Sequence, residues 1–185
     1  MNRAVFLDRD GVLNQPVVRE GRPFPPATVA ELRLTDGVAA DLTQLKAQGF
    51  LLIVVTNQPD VARGTTSRES VEEINTALRA ALPLDDFYTC YHDDSDACDC
   101  RKPLPGLLLA AAAHHHIDLA ASYLVGDRWR DIDAGAAAGC RTILIDCGYC
   151  ERAPAHAPDH RASTLQQAVR EILRDFHCFP KPSHG

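Results

Sequence analysis

The sequence predicts a doubly wound α/β fold with a mostly parallel, Rossmann-like sheet. Short apolar runs, of which residues 50–55 (FLLIVV) are the clearest, are typical of strands buried on both faces. Segments with apolar residues at helical spacing separate these runs, as in βαβ units. Acidic and hydroxyl residues follow three of the strands directly, and this is the edge of the sheet where such folds bind ligands.

Five strands are predicted in chain order. They cover residues 4–7, 50–55, 87–91, 123–125 and 142–145. The run at 87–91 (FYTCY) is less apolar than the others, so we expect it nearer an edge of the sheet.

The helices between the strands have recognisable ends. The first begins after residue 37 and ends near Gly49, because glycine is common just past a helix. Ser67 is the expected N-cap of the second helix, and Pro105 the expected first-turn residue of the third. The last helix carries apolar residues at helical spacing over residues 165–176, with Ser163 as its predicted cap.

Two stretches fit neither pattern. Residues 15–32 contain four prolines and are predicted to form a flap, and residues 153–160 a proline-rich connector to the last helix. The length of 185 residues and the absence of an internal repeat predict a single domain over residues 1–185.

Composition excludes several classes of protein. A net charge of −6 argues against a nucleic-acid partner, which would require a basic face. The apolar runs are too short to span a bilayer, and a strand at residue 4 leaves no room for a leader. The seven cysteines are odd in number and three of them cluster with a histidine at metal-ligand spacing, which favours a reducing, cytoplasmic location over a disulfide scaffold. We also expect a monomer.

Side chains suited to metal binding collect at the carboxyl ends of three strands. Asp8 and Asp10 follow the first strand, Thr56 ends the second and Asp127 follows the fourth. Crowded carboxylates repel one another unless a cation lies among them, and hard oxygen ligands suit Mg²⁺. Helix caps and turns also use aspartate, as we expect of Asp36, but capping does not require several acids at one edge. The set predicts a magnesium site that serves phosphoryl transfer.

A second set of ligands has the pattern Cys90-x-His92, five residues, Cys98-x-Cys100. Three thiolates and one imidazole are a common closed zinc set, with no open position for catalysis. Because Lys102 follows Cys100 by two residues, a metal that fixes Cys100 also fixes the direction of Lys102. The loop over residues 90–102 is therefore predicted to be zinc-stabilised.

The ligand pattern leaves two alternatives to zinc. One is a chance grouping in a cysteine-rich chain. The other is a calcium site, disfavoured because its acids lack the regular ligand spacing of a calcium loop. The acids in question are Asp93, Asp94, Asp96 and Asp99.

Four segments resemble the ordered motifs of the haloacid dehalogenase-like phosphatases. They are residues 6–14 (FLDRDGVLN), 54–58 (VVTNQ), 101–103 (RKP) and 126–131 (GDRWRD). Each motif is weak alone, but the ordered set spans most of the chain and is specific. The resemblance implies the core domain of that family, and the length of 185 residues leaves no room for a separate cap domain.

The resemblance also implies a role for each matching residue. Asp8 is the nucleophile that forms an aspartyl-phosphate, and Asp10 is the general acid and base. Thr56 and Lys102 hold the phosphoryl oxygens. Asp127 completes the magnesium site with the Asp8 carboxylate and the Asp10 carbonyl.

Further residues receive less definite roles. Asp131 either reaches the magnesium ion through water or fixes Lys102, and the sequence does not choose between these. The expected substrate-binding residues are Arg9, Asn57, Gln58, Arg101 and Arg128.

The zinc loop runs directly into the segment Cys-Arg-Lys-Pro, and this combination indicates a smaller group within the family. The loop is similar to that of the D-glycero-D-manno-heptose 1,7-bisphosphate 7-phosphatases and their sister group, the histidinol-phosphate phosphatases. Residues 61–64 (VARG) fit the heptose group. This implies hydrolysis of the C7 phosphate of a small phosphorylated sugar, in the biosynthesis of lipopolysaccharide or a related sugar-nucleotide precursor, with catalytic Mg²⁺ and structural Zn²⁺.

The chain departs from this group at the predicted rim of the site. Residues 14–36 are several residues longer than usual, the zinc loop is shorter, and Pro59 stands where serine is common. Histidinol phosphate or another small phosphate monoester is therefore the alternative substrate. An inactive, zinc-stabilised binding module is the alternative from another class, disfavoured because the motif aspartates, threonine and lysine are intact.

Three other features are interpreted more simply. The histidines at 114–116 end a helix, where cations suit the dipole, and are expected to be solvated, with a metal-binding role as the alternative. Cys147 and Cys150 have the spacing of a redox pair, but without a thioredoxin-like context they are expected to be ordinary thiols just past the last strand. Trp129 either packs beside the active site or covers the helix that follows.

Overall fold

A six-stranded parallel sheet forms the centre of the computed structural model, which describes residues 1–19 and 22–178. Each neighbouring pair of strands is parallel. In spatial order the strands are β5 (Asp86–Cys90), β4 (Leu51–Asn57), β1 (Ala4–Leu7), β6 (Tyr123–Gly126), β7 (Arg141–Ile145) and β8 (His160–Ala162). A separate antiparallel hairpin pairs β2 (Val17–Arg19) with β3 (Arg22–Phe24).

Helices cover both faces of this sheet. They are α1 (Val38–Ala47), α2 (Arg68–Ala81), α3 (Gly106–His115), α4 (Trp129–Ala138) and α5 (Leu165–Cys178). None of these helices, over the residues described, is long and apolar enough to cross a membrane.

The core divides into two layers because strand side chains alternate between the faces. Val5 and Leu7 of β1 pack in one layer with residues of α1, α2 and α5, whereas Phe6 packs in the other with residues of α3 and α4. The predicted doubly wound α/β fold is confirmed.

The strand order brings three chain segments together at one edge. Strand β1 lies between β4 and β6. After β1 the chain adds β4 and β5 on one side of it, and then crosses over to add β6, β7 and β8 on the other side. The residues that follow these three parallel strands therefore meet at a topological switch point.

Most predicted elements are present, with differences at their ends. The strand predicted at 87–91 is β5, and it does lie at an edge of the sheet. The predicted flap at 15–32 contains the β2–β3 hairpin, although residues 20 and 21 lie outside the described part of the chain. The predicted connector at 153–160 ends where a short edge strand, β8, begins. This strand has only three residues, of mixed polarity, and so shows no recognisable strand pattern in the sequence.

Two helix starts were predicted one residue away from their true position. Thr164, not Ser163, caps α5, because its Oγ1 accepts the Gln167 N–H at 3.2 Å. Ser163 instead donates its hydroxyl to the Gln167 side chain. Pro105 immediately precedes α3 as its N-cap and does not lie in the first turn.

Candidate active site

A cavity of about 380 Å³ opens at the carboxyl ends of β1, β4 and β6. It collects residues from the four motifs, which are far apart in the sequence. The predicted site residues that line it are Asp8, Asp10, Thr56, Asn57, Gln58, Arg101, Lys102, Asp127, Arg128 and Asp131.

Three buried carboxylates form the floor of this cavity. Each of Asp8, Asp127 and Asp131 offers an oxygen within 4.8 Å of the other two. Burial raises the pKa of Asp8 to about 6, against the lowering effect of Lys102. Burial and the charges of Asp8 and Asp131 also raise the pKa of Asp127. Such a group of acids is costly to ionise without a cation beside it.

The geometry around Asp127 fits a bound cation. Its Oδ1 is buried and has no hydrogen-bond partner among the described residues. A β-carbon on Gly11, which has φ +89°, would lie 2.0 Å from Asp127 Oδ2. Glycine is therefore required both for the turn and for the close approach of the carboxylate. An orphaned carboxylate oxygen among hard donors suits Mg²⁺.

Lys102 fills all three of its N–H donors inside the site. Its Nζ donates to Asp8 Oδ1 at 2.9 Å, to Asp131 Oδ1 at 2.5 Å and to the Val55 carbonyl at 2.8 Å. Burial lowers the pKa of Lys102, but Asp131 and Asp8 outweigh this and raise it. The ammonium is thus held charged against Asp8.

Asp131 takes the second of its two predicted roles in this geometry. One carboxylate oxygen contacts Lys102, and the other accepts the Arg128 backbone N–H at 3.1 Å at the start of α4. The carboxylate therefore joins the lysine to the N-terminal turn of that helix.

Two amide side chains hold neighbouring groups in place. Asn57 Nδ2 donates to the Lys102 carbonyl at 3.0 Å, and Asn57 Oδ1 accepts the Lys102 N–H at 3.1 Å. Gln58 Nε2 donates to Asp10 Oδ2 at 2.8 Å and to Thr56 Oγ1 at 2.9 Å. Both residues line the cavity as predicted, and both also position the groups they contact.

The prediction that Arg9 contacts substrate is wrong. Its side chain has no exposed surface, and its guanidinium donates to the Asp10 carboxylate and, at 3.1 Å, to Asn75 Oδ1. Since side chains alternate past the end of β1, Asp8 and Asp10 face the cavity and Arg9 turns behind its wall. Arg9 therefore orients Asp10.

The rim of the cavity is rich in arginine. Arg101 Nε donates to Asp94 Oδ1 at 2.8 Å, and Arg130 Nη1 donates to the same oxygen at 3.1 Å. Arg128, whose side chain is about half exposed, pairs with Glu151.

Nine residues of the cavity wall had no predicted catalytic, substrate-binding or magnesium role: Pro16, Phe24, Pro25, Pro59, Asp60, Arg63, Asp94, Arg130 and Tyr149. Arg63 and Arg130 lie within segments that the sequence analysis had recognised, residues 61–64 and 126–131, and carry charge, so their positions offered a signal. Phe24 and Tyr149 reach the cavity only through tertiary packing of the hairpin and of the loop after β7. Burial and the nearby Asp127 raise the pKa of Tyr149.

The four predicted zinc ligands come together beside the Lys102 backbone. The Cys90 sulfur lies 3.8 Å from that of Cys98 and 3.2 Å from that of Cys100. His92 Nδ1 lies 3.6 Å from Cys90 Sγ and 3.3 Å from Cys100 Sγ. Tetrahedral zinc with bonds of about 2.0–2.3 Å separates its ligands by roughly 3.3–3.8 Å, so the donor set and its spacing fit that ion.

The calcium alternative does not fit this loop. Asp93 pairs with Arg63, with Nη2–Oδ1 at 2.7 Å, and Asp94 pairs with Arg101 and Arg130. Carboxylates neutralised by arginine are poor candidates for a calcium cage.

The other interpretations have mixed outcomes. His114 is 69% exposed and so is largely solvated as expected, although its Nδ1 lies 2.8 Å from the Tyr88 hydroxyl. His115 is only 23% exposed, and its Nε2 lies 2.8 Å from Asp86 Oδ2. Cys147 and Cys150 are free, exposed thiols, as expected. The guanidinium carbons of Arg152 and Arg130 lie 3.4 and 4.6 Å from the centroid of the Trp129 ring.

The fold and the site together define a class. Acidic residues at the ends of β1 and β6, with a lysine from a following loop, are the arrangement that the four motifs of haloacid dehalogenase-like hydrolases predict. The HAD-hydrolase-like family model matches residues 99–171.

Curated relatives refine this class. A D-glycero-beta-D-manno-heptose-1,7-bisphosphate 7-phosphatase of Escherichia coli K12 is 39% identical over 158 residues, covering 78% of this chain and 80% of the relative. The protein of that name from Photorhabdus laumondii is 35% identical over 195 residues, covering 98% of this chain and 95% of the relative.

Solved structures agree with these relatives. The D,D-heptose 1,7-bisphosphate phosphatase from B. bronchiseptica, complexed with magnesium and phosphate, has a TM-score of 0.76 at 27% identity, covering 94% of this chain and 99% of that one. The enzyme of that name from Burkholderia thailandensis, at 22% identity and a TM-score of 0.64 over 93% of this chain and 99% of that one, supports the fold alone. The chain belongs to the D-glycero-D-manno-heptose 1,7-bisphosphate 7-phosphatase family, one of the families of haloacid dehalogenase-like hydrolases. It is a hydrolase that acts on phosphate monoesters.

Proposed function

We propose that this chain hydrolyses the C7 phosphate of D-glycero-β-D-manno-heptose 1,7-bisphosphate through an aspartyl-phosphate on Asp8. The observation that carries the proposal is the contact of Asp8 with the Lys102 ammonium, on the floor of a cavity that also contains Asp10 and Asp127. The proposed substrate is the one for which the relatives from Escherichia coli and Photorhabdus laumondii are named.

The chemistry follows from the positions of the side chains. Asp8 attacks phosphorus, the bond to the sugar oxygen breaks, and Asp10 donates a proton to that oxygen. Asp10 then takes a proton from water, which attacks the phosphorus of the acyl phosphate and releases phosphate and free Asp8. Lys102 and Thr56 bind the phosphoryl oxygens, and Lys102 stabilises the charge that develops on them.

Asp10 is oriented for both proton transfers. Its Oδ2 accepts hydrogen bonds from Arg9 and Gln58, and its Oδ1 accepts one from Asn14 Nδ2 at 3.0 Å. These three donors hold the Asp10 side chain in one orientation, with its carboxyl group at the cavity wall.

The proposal includes two metals. Asp8, Asp127 and the Asp10 carbonyl would hold Mg²⁺, which when bound neutralises phosphoryl charge. Cys90, His92, Cys98 and Cys100 would hold a structural Zn²⁺ with no open position.

The arginines of the rim favour a bisphosphate over histidinol phosphate. Four guanidinium groups line the cavity, those of Arg63, Arg101, Arg128 and Arg130, and each also pairs with a carboxylate of Asp93, Asp94 or Glu151. A second phosphate group can accept bidentate hydrogen bonds from guanidinium groups, whereas the protonated amine of histidinol phosphate offers only donors.

A phosphate-release screen in saturating Mg²⁺ tests the proposal. We expect kcat/KM to be highest for the heptose 1,7-bisphosphate and at least about tenfold lower for sugar monophosphates and histidinol phosphate. Preference for histidinol phosphate would assign the chain to the sister activity, and failure to release phosphate from any substrate would support the inactive binding module.

A further inference from the structure

A second cluster of metal-binding side chains lies away from the cavity, where β5 begins and α3 ends. Each of Asp86, His114 and His115 offers one ligand atom within 4.8 Å of the other two. The distances to Asp86 Oδ2 are 2.8 Å from His115 Nε2 and 3.9 Å from His114 Nδ1. The proposed function uses none of these residues.

The cluster is distinct from the zinc loop. Strand β5 begins at Asp86 and ends at Cys90, so these two residues lie at opposite ends of an extended segment. At about 3.3 Å per residue the separation is roughly 13 Å, too far for the two sets to share an ion.

The hydrogen bonds around Asp86 leave one oxygen directed at the histidines. Asp86 Oδ1 accepts the Phe87 N–H at 2.8 Å and lies 3.5 Å from Arg79. Oδ2 faces His115. The same backbone and side-chain contacts that fix Oδ1 therefore aim Oδ2 at the two imidazoles.

The two imidazoles lie side by side next to this carboxylate. Their ring centroids are 4.4 Å apart at an interplanar angle of 34°, and the Tyr88 hydroxyl lies 2.8 Å from His114 Nδ1. Two adjacent nitrogens and one carboxylate oxygen attract a divalent cation. In a tetrahedral site with bonds of about 2.0–2.1 Å the ligand separations are roughly 3.3 Å, midway between the two distances to Asp86.

We propose that Asp86, His114 and His115 form a second transition-metal site, which takes Zn²⁺ or a similar borderline cation. Two imidazoles and one carboxylate favour Zn²⁺, Co²⁺, Ni²⁺ or Cu²⁺ over Mg²⁺ and Ca²⁺, which require mainly oxygen ligands. Three protein ligands leave a fourth position for water or the Tyr88 phenol. The bound ion would join the edge strand β5 to the C-terminal end of α3.

The test counts bound ions by equilibrium dialysis of the whole chain against micromolar free Zn²⁺. Wild type is expected to bind two ions, whereas His115→Ala and Asp86→Asn bind one. The matched control is His116→Asn, which removes the neighbouring exposed imidazole and keeps a residue suited to the left-handed backbone at φ +53°. This control is expected to bind two ions.

Co²⁺ separates the two proposed sites by their spectra. The cysteine site gives thiolate-to-metal charge transfer in the near ultraviolet, and the histidine–aspartate site does not. The second equivalent of Co²⁺ should add weak visible absorption alone, and His115→Ala should lose it. Circular dichroism of each variant establishes that it is folded.

Failure of this inference is distinguishable from failure of the zinc loop. If the loop binds no zinc, Cys98→Ser still binds one ion and His115→Ala none, which supports the second site. Three results would overturn the inference: a folded His115→Ala that keeps the second ion, a His116→Asn variant that loses it, or a wild type whose bound zinc is held by cysteines alone.

Discussion

The Asp8 carboxylate lies 2.9 Å from the Lys102 ammonium, and both groups are proposed to act on the phosphate. Asp8→Asn keeps the size of the side chain but cannot form an acyl phosphate. We expect kcat to fall by at least about a thousandfold, or roughly 4 kcal/mol in barrier, with the thermal midpoint little changed. Phosphate release and circular dichroism measure the two effects. Residual activity within about tenfold of wild type would remove Asp8 from the role of nucleophile.

Asn57 offers a second test, because its side-chain amide forms hydrogen bonds with both the main-chain N–H and the main-chain carbonyl of Lys102. Asn57→Ala removes both hydrogen bonds, each of which contributes about 0.5–1.5 kcal/mol. We expect kcat/KM to fall roughly ten- to a hundredfold. Zinc content, measured in parallel, should not change, since Asn57 contacts the lysine and not the ligands. Unaltered kinetics would show that the cysteine loop positions Lys102 without help from β4.

For single residues, the sequence predicted ten of those that line the cavity, because strand ends and motif order determine where they lie. It did not predict the direction of each side chain. Arg9 lies between two cavity residues in a motif, yet it turns behind the wall to bind Asp10. Tyr149 enters the cavity through a loop whose path depends on packing that no local pattern encodes.

Among the larger elements, the loop from Cys90 to Lys102 carries the most specific expectation. In Cys98→Ser one of four ligands becomes a poor zinc donor, so zinc content should fall and Lys102 should be less well placed. We expect kcat/KM to decrease about ten- to a hundredfold, as for a lost charge-assisted hydrogen bond. Metal analysis and steady-state kinetics measure the two effects.

The matched control for this variant is Cys178→Ser, which changes an exposed thiol at the end of α5. It should keep both zinc and activity. A full complement of zinc in Cys98→Ser would show that the ligand set is wrong.

Elements with long, strongly patterned sequences were predicted well, and short ones were not. Strand β4 has seven residues and an apolar interior, so its pattern is unambiguous. Strand β8 and the β2–β3 hairpin have three residues per strand, and such short segments are defined by their partners in space. The expected edge position of β5 was right because it is only partly buried along most of its length.

In the whole molecule, the two proposed metals have different tasks. Removal of Mg²⁺ should abolish phosphate release at once, because Asp8, Asp127 and Asp131 then face one another without a cation. Addition of Mg²⁺ should restore it. Removal of zinc should act more slowly, lower kcat/KM, and leave the magnesium requirement in place. Restoration of magnesium-free activity by zinc alone would contradict this division.

The most direct measurement is phosphorus NMR of D-glycero-β-D-manno-heptose 1,7-bisphosphate during incubation with the chain and Mg²⁺. We predict that the C7 phosphate signal disappears, inorganic phosphate grows in equal amount, and the C1 phosphate signal persists in the product. Loss of the C1 phosphate, or an unchanged spectrum with folded and magnesium-saturated protein, would contradict the proposed function.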